Sequence, residues 1–305
     1  MFTRLFILAL RLFSRLPYGA QRMAGNALGG LLYAVVAPRR RVTLRNLELC
    51  FPDLDRGQRE ALARAHFKAL TRAFLDHGLL WFAPRARLEQ LIRVEGAEHF
   101  EAALPANTGQ PLIIVVPHFV GLDAGGVAFS MRHQGVSMYS EQKNPVIDAQ
   151  LRAGRVRFNA SELFSRSDGI RPVVRAMKRG LPYFVLPDMD LGAGDAVFAP
   201  FFGVNAATVT VVPKLARMAG ARVIALVTTF DPQGRGYVAR YYPAWDNALG
   251  ESASGGSPQE QDAAATQAMN LFIEARARET PEQYYWVHKR FKTRPPGEAS
   301  LYQRH

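Results

Sequence analysis

An imidazole and a carboxylate stand five residues apart, directly after an apolar stretch of the sequence. His118 and Asp123 occur in Val-Val-Pro-His-Phe-Val-Gly-Leu-Asp-Ala-Gly-Gly, which follows Leu112 to Val116. A carboxylate that orients the imidazole leaves its second ring nitrogen free to act as a general base. On one continuous helix a spacing of five turns the two side chains about 140° apart. We therefore expect His118 in a turn and Asp123 in the first helical turns; the alternative is a capped helix with a hydrogen-bonded histidine.

The elements that must position this pair follow from the hydrophobic pattern. The run 112–116 is uninterrupted and β-branched, which is typical of a buried parallel strand. Pro117 ends it, and the glycines at 121, 125 and 126 favour a helix start with space cleared for a ligand. Ligands bind beyond the carboxyl ends of such strands. The pattern predicts strands at 112–116, 136–140, 182–186, 222–229 and 236–242, and helices at 54–82, 123–133, 145–154, 170–179, 209–219 and 262–278. Such alternation predicts an α/β fold with a mostly parallel central sheet flanked by helices.

Basic and acidic side chains suggest how a substrate is bound. Arg155, Arg166 and Arg171 fall within 17 residues of one another, and fixed guanidinium groups suit a phosphate or a developing oxyanion. For any one of them a solvated basic face is the better interpretation, whereas the cluster as a whole favours a binding role. Asp188 and Asp190 form a second acidic turn after a predicted strand, where burial is costly unless the carboxylates have partners. Those partners would be an arginine or a metal, but two carboxylates without a neighbouring histidine are too few, so we predict no metal.

Two aromatic segments have alternative interpretations. The run 198–203 (Phe-Ala-Pro-Phe-Phe-Gly) predicts either the lining of an acyl-chain tunnel or ordinary core packing. Near the C-terminus, Trp286, His288, Lys289 and Arg290 predict a belt that is both aromatic and basic, as expected at the level of lipid headgroups. The alternative for His288 is a base, which the pattern favours less than membership of the belt.

Charge and hydropathy in the N-terminal segment indicate a membrane surface. The 305-residue chain carries a net charge of +12, and its first 50 residues hold eight arginines and one acid, Glu48. Such a basic excess fits nucleic acid or anionic lipid; apolar runs between the arginines favour lipid, so no nucleic acid is expected. Residues 1–16 predict a basic amphipathic helix with Arg4, Arg11 and Arg15 on one stripe. We predict an N-terminal hydrophobic membrane-anchor helix within residues 1–40, interfacial or single-pass, ahead of one domain at 41–305.

Motifs along nearly the whole chain resemble one family. They are Asn46-Leu-Glu-Leu-Cys-Phe-Pro52, His66-Phe67, Pro117-His118 through Asp123, Lys143-Asn144-Pro145, Gly154-Arg155 with Arg157-Phe158, Leu186-Pro-Asp-Met-Asp190, Val197 through Gly203 with Ala207-Thr208, and Pro281 through Arg294. In order and spacing they resemble the bacterial lipid A biosynthesis lauroyl/myristoyl acyltransferases, which belong to the lysophospholipid acyltransferase superfamily. Met189 departs from the pattern, because the resemblance leads us to expect glutamine there.

The resemblance implies transfer of a fatty acyl group from acyl carrier protein to a hydroxyl of a lipid A precursor. It places the chain at the cytoplasmic face of the bacterial inner membrane. His118 would be the general base and Asp123 its orienting partner. Arg155 would contact the oxyanion or a phosphate, and Asp188 and Asp190 would support the site. A thioester donor is already activated, so no cofactor is expected. The basic chain suits an acidic carrier protein, a phosphorylated acceptor and anionic inner-membrane lipids.

Two other functions fit the same residues. One is an acyltransferase of the same architecture that acts on another glycolipid or a lysophospholipid. The other is a membrane-associated protein that only holds a lipid in its groove, which would bind acyl donor and acceptor without releasing thiol.

Overall fold

The computed structural model describes residues 2–245 and 256–302. The helices in this part of the chain are α1 (Phe2–Phe13), α2 (Tyr18–Val35), α3 (Ala37–Cys50), α4 (Arg56–Phe82), α5 (Arg85–Leu91), α6 (Ala97–Ala103), α7 (Pro105–Thr108), α8 (Leu122–Ser130), α9 (Pro145–Arg155), α10 (Arg171–Lys178), α11 (Val211–Ala219) and α12 (Pro258–Glu279). The strands are β1 (Ile92–Glu95), β2 (Leu112–Val115), β3 (Val136–Tyr139), β4 (Glu162–Ser165), β5 (Tyr183–Val185), β6 (Ala196–Phe201), β7 (Val204–Val209), β8 (Arg222–Phe230) and β9 (Tyr237–Tyr242).

Within the described residues, seven strands form one sheet in the order β1-β9-β8-β2-β5-β3-β4. The five strands from β8 to β4 are parallel to one another. At the other edge, β9 pairs antiparallel with β8 and β1 pairs parallel with β9. The predicted mostly parallel sheet is therefore confirmed, with two reversed strands at one edge. All five strands that the sequence predicts are present, and β1, β4, β6 and β7 are additional.

The central strand β2 is buried on both faces, which explains its uninterrupted apolar sequence. Successive side chains of a strand point to opposite faces. Ile113 and Val115 pack into one core cluster with residues of α10, α11 and α12. Leu112 and Ile114 pack into a second cluster with residues of α6, α8 and the C-terminal half of α4. Helices thus cover both faces, and the carboxyl edge of the sheet is left to loops.

The N-terminal helices pack on α4 through glycines. A Cβ built on Gly29 would lie 2.5 Å from the Cα of Lys68, and one built on Gly25 would lie 2.7 Å from Cγ of Arg72. On α4 itself, a Cβ on Gly78 would lie 2.4 Å from the carbonyl oxygen of Leu10. Only glycine permits these approaches, so α1 and α2 are held close to the long helix α4. That helix begins with a capping box formed by Asp55 and Gln58.

The predicted hydrophobic anchor helix is wrong as a spanning element. Pro17 separates the 12-residue α1 from the 18-residue α2, whereas a bilayer span needs about 20 mostly apolar residues. Across residues 2–245 and 256–302, none of the helices combines the length and the apolar character that crossing a membrane requires. The segment is instead a set of three short helices that pack on the domain, and α3 runs across residue 40. The division of the chain at that residue stays a prediction.

The aromatic run at 198–203 belongs to the core. β6 and β7 form a separate antiparallel hairpin, and Phe202 (φ 52°) and Gly203 (φ 75°) form its turn in the left-handed region. Phe201 and Phe202 are buried against each other, and both lie near Trp286, Tyr284 or Phe291. Of the two alternatives for this segment, core packing is the one that these contacts support.

Candidate active site

Strand register brings His118 to Asp188. Val115 of β2 pairs with Val185 of β5, and each strand continues through one apolar residue and a proline before its polar residue. Because both turns leave the same edge at the same register, the two polar side chains meet. The backbone N–H of His118 donates to Oδ2 of Asp188 at 2.9 Å, and Nδ1 lies 2.7 Å from Oδ1. The carboxylate therefore fixes both the main chain and the ring of His118.

Asp188 is ionised in this setting. Its side chain is 1% exposed, and burial alone would raise its pKa. The charge of His118, the two hydrogen bonds from that residue and the buried Arg290 outweigh burial and hold the pKa of Asp188 below its ordinary value. An ionised carboxylate only accepts hydrogen bonds, so Nδ1 of His118 carries the proton. The other nitrogen, Nε2, is then unprotonated in the neutral ring.

Asp123 has different partners from those that the sequence predicts. It lies in the first turn of α8, as expected, but Asp188 and not Asp123 makes the hydrogen bond to His118. Oδ2 of Asp123 lies 3.2 Å from Nε2 of His77, and Oδ1 lies 3.7 Å from a guanidinium nitrogen of Arg155. Asp123 faces α4 and α9 because it lies on α8. Asp188, in the turn after the neighbouring strand β5, is the carboxylate that lies next to His118. The predicted orienting contact is therefore corrected.

The glycines near Asp123 differ in what surrounds them. A Cβ on Gly121 would lie 2.6 Å from the carbonyl oxygen of Thr228, and one on Gly125 would lie 2.1 Å from its Oγ1. These two glycines let α8 approach β8, rather than clearing space for a ligand as the sequence suggested. A Cβ on Gly126 would meet nothing within 4 Å, so this glycine alone of the three faces open space.

A basic groove of about 1160 Å³ lies beside His118. The predicted residues Arg155, Arg166 and Arg171 all line it together with His118. Further cations on its wall were not predicted; they are Arg152, Arg175 and Lys214. Arg155 ends α9, Arg166 opens a short 3-10 turn after β4, and Arg171 begins α10. Three separate elements therefore direct positive charge into one groove, which suits a ligand with several negative charges.

An apolar cavity of about 100 Å³ lies next to the groove, between α4, α8, α9 and strands β3 and β5. Groove and cavity share wall residues, namely Met138, Leu151, Arg155, Phe184 and Leu186. His77, Asp123 and Gly126 also line the cavity. The charged cluster of His77, Asp123 and Arg155 therefore stands at the boundary between an apolar space and a cationic one.

Asp190 ties the turn after β5 to the C-terminal segment. Its carboxylate accepts hydrogen bonds from the backbone N–H (2.6 Å) and Oγ1 (2.7 Å) of Thr293 and from the N–H of Gly192. Its own N–H donates to Nε2 of His288 at 3.0 Å. Burial and Arg290 lower the pKa of His288 to about 4, so the ring is neutral and can accept this bond. These contacts fit a residue that supports the turn better than one that touches substrate.

The predicted aromatic and basic belt at 286–290 is wrong. Trp286 and Arg290 are 1% and 2% exposed, and Arg290 donates to the carbonyl oxygen of Ala207 and to Oγ1 of Thr208. The segment runs beneath the site, where the N–H of Tyr285 donates to the carbonyl oxygen of His118 at 3.0 Å.

Within residues 2–245 and 256–302, there is no group of three or more His, Cys, Asp or Glu side chains that could hold a metal ion.

Sequence reasoning missed the roles of Asp188 and His77. The signal for Asp188 was the repeated order of an apolar pair, a proline and a polar residue: Val-Val-Pro-His at 115–118 and Val-Leu-Pro-Asp at 185–188. Two such turns on adjacent parallel strands must bring their last residues together. His77, beside Asp76 on a long helix, carried no comparable signal.

The fold and the site define an α/β protein that presents a carboxylate-held histidine at the carboxyl edge of a parallel sheet, beside a basic groove. The chain belongs to the bacterial lipid A biosynthesis acyltransferase family, whose model matches residues 1–293. This finding confirms the family resemblance seen in the sequence.

Named relatives cover nearly the whole chain. The lipid A biosynthesis lauroyltransferase of Escherichia coli (strain K12) is 35% identical over 302 residues, which are 98% of this chain and 94% of that protein. The palmitoleoyltransferase of the same organism is 32% identical over 294 residues, covering 96% and 92%. Its myristoyltransferase is 29% identical over 266 residues, covering 87% and 79%.

Proposed function

We propose that this protein transfers a fatty acyl group from an acyl carrier protein thioester to a hydroxyl of a lipid A precursor. Family membership and relatives named as lauroyl, palmitoleoyl and myristoyl transferases support lipid A acylation. The observation that carries the proposal is the setting of His118. Its Nδ1 is held by the buried Asp188, and its ring lines a groove with several guanidinium groups beside an apolar cavity.

The proposed reaction needs one base and an activated donor. Nε2 of His118 accepts the proton of the acceptor hydroxyl while its oxygen attacks the thioester carbonyl carbon. A new C–O bond forms and the carbonyl oxygen becomes an oxyanion. The C–S bond then breaks, and the imidazolium returns the proton to the departing thiolate, which leaves as a thiol. Asp188 stabilises the imidazolium between these steps, because its charge lies 2.7 Å from Nδ1.

Charge in the groove supports binding of a phosphorylated acceptor. Arg166 and Arg171 line the groove away from the apolar cavity, and guanidinium groups pair with phosphate through two parallel hydrogen bonds. Arg155 lines both spaces. It is the cation best suited to contact the thioester oxyanion, since the acyl chain and the phosphorylated headgroup would separate at that position.

The apolar cavity is the proposed space for part of the acyl chain, because its volume of about 100 Å³ is smaller than that of a whole fatty acyl group. Leu80, Trp81, Val127 and Phe129 are among its lining residues, and contact with such side chains removes an alkyl chain from water at roughly 25 cal/mol per Å². The cavity and the groove lie on either side of the same wall residues, and in the proposed complex the acyl chain runs from the cavity into the groove, where its thioester meets His118.

Exposed apolar side chains support attachment to the membrane surface through α1 and α2. Leu5, Leu8 and Leu12 of α1 are 54%, 49% and 53% exposed, and Met23 and Val35 of α2 are 71% and 63% exposed. Large exposed apolar patches on soluble surfaces mark interaction sites, and the arginines among these residues suit anionic headgroups. Because α1 packs on α4, this surface adjoins the helix that lines the acyl cavity. We propose an interfacial contact at the cytoplasmic face of the inner membrane.

His118→Gln tests the proposed reaction. Purified variant and wild type would be incubated with acyl carrier protein thioester and lipid A precursor. Mass spectrometry would measure the acylated product, and a colorimetric thiol assay would measure the released thiol. Loss of a general base lowers kcat by roughly 10²- to 10⁴-fold. His99→Gln is the matched control, because His99 lies on α6, does not line the cavity or the groove, and has its ring 3.9 Å from the carboxylate of the neighbouring Glu98.

The outcomes separate the candidate functions. His118→Gln activity within about 3-fold of wild type would exclude His118 as the base, since that is far below the loss expected for a general base. Turnover with a lysophospholipid or another glycolipid, but not with lipid A precursor, would favour an acyltransferase of the same architecture with a different acceptor. Binding of both substrates without thiol release would favour a lipid-holding protein.

A further inference from the structure

We infer that His77 is a protonated positioning residue that neutralises Asp123 and so keeps Arg155 available to the substrate. This inference rests on the proposed acyl transfer, but its first step concerns only the charge of one imidazole. Its side-chain partner is Asp123 of α8, which in turn contacts Arg155 of α9, so these contacts join three helices around the acyl cavity.

Both ring nitrogens of His77 face hydrogen-bond acceptors. Nδ1 lies 3.2 Å from the carbonyl oxygen of Ala73 and 3.1 Å from that of Phe74, and Nε2 lies 3.2 Å from Oδ2 of Asp123. A neutral imidazole has a hydrogen on only one nitrogen. Its other nitrogen would then direct a lone pair at an oxygen. Only the doubly protonated ring donates to all of these partners.

The surrounding charges favour the same state. Burial alone would lower the pKa of His77, but the hydrogen bond and charge of Asp123 and the two carbonyl groups raise it above its ordinary value. Asp76 on the same helix adds a further carboxyl group nearby. Burial opposes the ionisation of Asp123, yet His77, Arg155 and His118 hold its pKa well below its usual range. The carboxylate of Asp123 thus lies between two cations.

This charge balance has a consequence for Arg155. Among His77, Asp123 and Arg155, one anion and two cations leave a net positive charge, while the charge of Asp76 is offset by Arg72 and by hydrogen bonds from Tyr18 and Tyr237. The contact of Arg155 with Asp123 is loose, at 3.7 Å, and its side chain is 40% exposed. Without the charge of His77, Asp123 would be an uncompensated carboxylate and would bind Arg155 more tightly. Arg155 would then be drawn away from the oxyanion that we propose it stabilises.

The relative placement of these residues is specified by packing. A Cβ on Gly154 would lie 2.4 Å from Cδ1 of Trp81, so α9 approaches α4 closely just before Arg155. The rings of His77 and Trp81 lie 5.2 Å apart. His77 is therefore part of the contact that brings Arg155 to Asp123, and it is not a freely solvated side chain.

The protonation state of His77 is measured directly by side-chain ¹H–¹⁵N NMR of ¹⁵N-histidine-labelled protein at pH 7, with His77→Gln used to assign its signals. Two protonated ring nitrogens are expected. A neutral tautomer at pH 7 would overturn the inference, whatever the enzyme assay gives. This measurement does not depend on the proposed reaction.

Kinetics test the effect on Arg155. His77→Gln keeps a neutral donor but removes the charge, and we expect kcat to fall about 10-fold with KM for the acceptor lipid unchanged within about 2-fold. Adding Asp123→Asn to this variant removes the uncompensated carboxylate. The kcat of the double variant should therefore be at least about 3-fold higher than that of His77→Gln. A purely structural role predicts the opposite, a further loss.

His99→Gln again serves as the matched control, and circular dichroism reports whether each variant folds. If His77→Gln has wild-type kcat, or if the double variant is less active than His77→Gln, the inference is wrong. If wild type itself gives no acylated product, the proposed function fails, while the NMR result still decides the charge of His77.

Discussion

Asp188→Asn is the substitution that tests the site most directly. It keeps the volume of the side chain but replaces one acceptor oxygen with an NH₂ group, which can only donate. In the wild-type chain, two donors from His118 converge on the two carboxylate oxygens at 2.9 and 2.7 Å. The backbone N–H cannot change its role, so the amide oxygen will accept from it. The amide NH₂ then faces Nδ1, which must present its lone pair.

The consequence is the wrong tautomer of the base. With the lone pair on Nδ1, the single proton of neutral His118 lies on Nε2, which then cannot accept the proton of the acceptor hydroxyl. A general base supplies roughly 10²- to 10⁴-fold of a rate, and the corresponding aspartate-to-asparagine change in a serine protease triad costs about 10⁴-fold. We therefore expect kcat to fall by about 10³- to 10⁴-fold. KM for the lipid should change little, because Asp188 is 2% exposed beneath the histidine.

The assay compares Asp188→Asn with Asp123→Asn at saturating donor and acceptor, with circular dichroism to confirm folding. The structure gives Asp123 no hydrogen bond to His118, so its variant should lose far less activity than Asp188→Asn. Two results would refute the reasoning. One is a folded Asp188→Asn variant within about 10-fold of wild type, well short of the loss of a base. The other is a larger loss from Asp123→Asn, which would assign the orienting role to Asp123.

Three further predictions follow from other parts of the molecule. Gly126→Leu should place a side chain in the acyl cavity without a backbone clash, so kcat/KM measured over a series of donors should shift toward shorter acyl chains; an unchanged preference would exclude this cavity as the acyl site. Burial raises the pKa of Asp76 to about 6, so the stability it contributes is full below its ordinary pKa and is lost as pH rises through about 6. The unfolding free energy of wild type relative to Asp76→Asn should therefore fall by up to about 3 kcal/mol between pH 4 and 7, as measured by urea unfolding, and a pH-independent difference would contradict this. Replacing Leu8 and Leu12 together with aspartate should lower binding to anionic phospholipid vesicles at least about 10-fold, as measured by co-sedimentation, and equal binding would show that α1 is not the contact.

Much of the sheet could be predicted because its signal is local. The run Leu112–Val115 is apolar at every position since helices cover both faces of β2, and burial on both faces leaves a mark within four residues. Strands β1 and β4 were missed for the converse reason. They are edge strands of four residues, Ile-Arg-Val-Glu and Glu-Leu-Phe-Ser, and a half-exposed edge places little constraint on sequence.

The partner of His118 could not be predicted in the same way. Asp123 is five residues away and matches a local pattern, whereas Asp188 is seventy residues away and reaches His118 only because β5 lies next to β2. The prolines at 117 and 187 point to similar turns, but their meeting depends on strand order. Local spacing therefore identified the histidine correctly as part of a groove and assigned its hydrogen bond to the wrong carboxylate.

Hydrophobicity in the N-terminal segment was ambiguous for a different reason. Apolar side chains in a short helix fit equally well against a bilayer or against another helix. Gly25 and Gly29 turn one face of α2 toward α4, while Met23 and Val35 on its other side remain exposed. The sequence alone shows how many apolar residues the segment holds, but not which of them pack on α4 and which stay exposed. That distribution is what distinguishes a spanning helix from an interfacial one.

The site contains two histidine–aspartate pairs, and their surroundings give them different chemistry. Nδ1 of His118 is hydrogen-bonded to Asp188 and the residue lines the groove. Its other ring nitrogen, Nε2, can therefore gain a proton and return it. His77 has acceptors on both nitrogens, so it has no such nitrogen and can only hold charge. The two aspartates are therefore not interchangeable. The side chain of Asp188 is 1% exposed, so it can stabilise a transient imidazolium without competition from water. Asp123, 32% exposed and shared with Arg155, is screened and already neutralised. For this reason the catalytic loss should follow Asp188, although Asp123 is the residue that the sequence pattern favours.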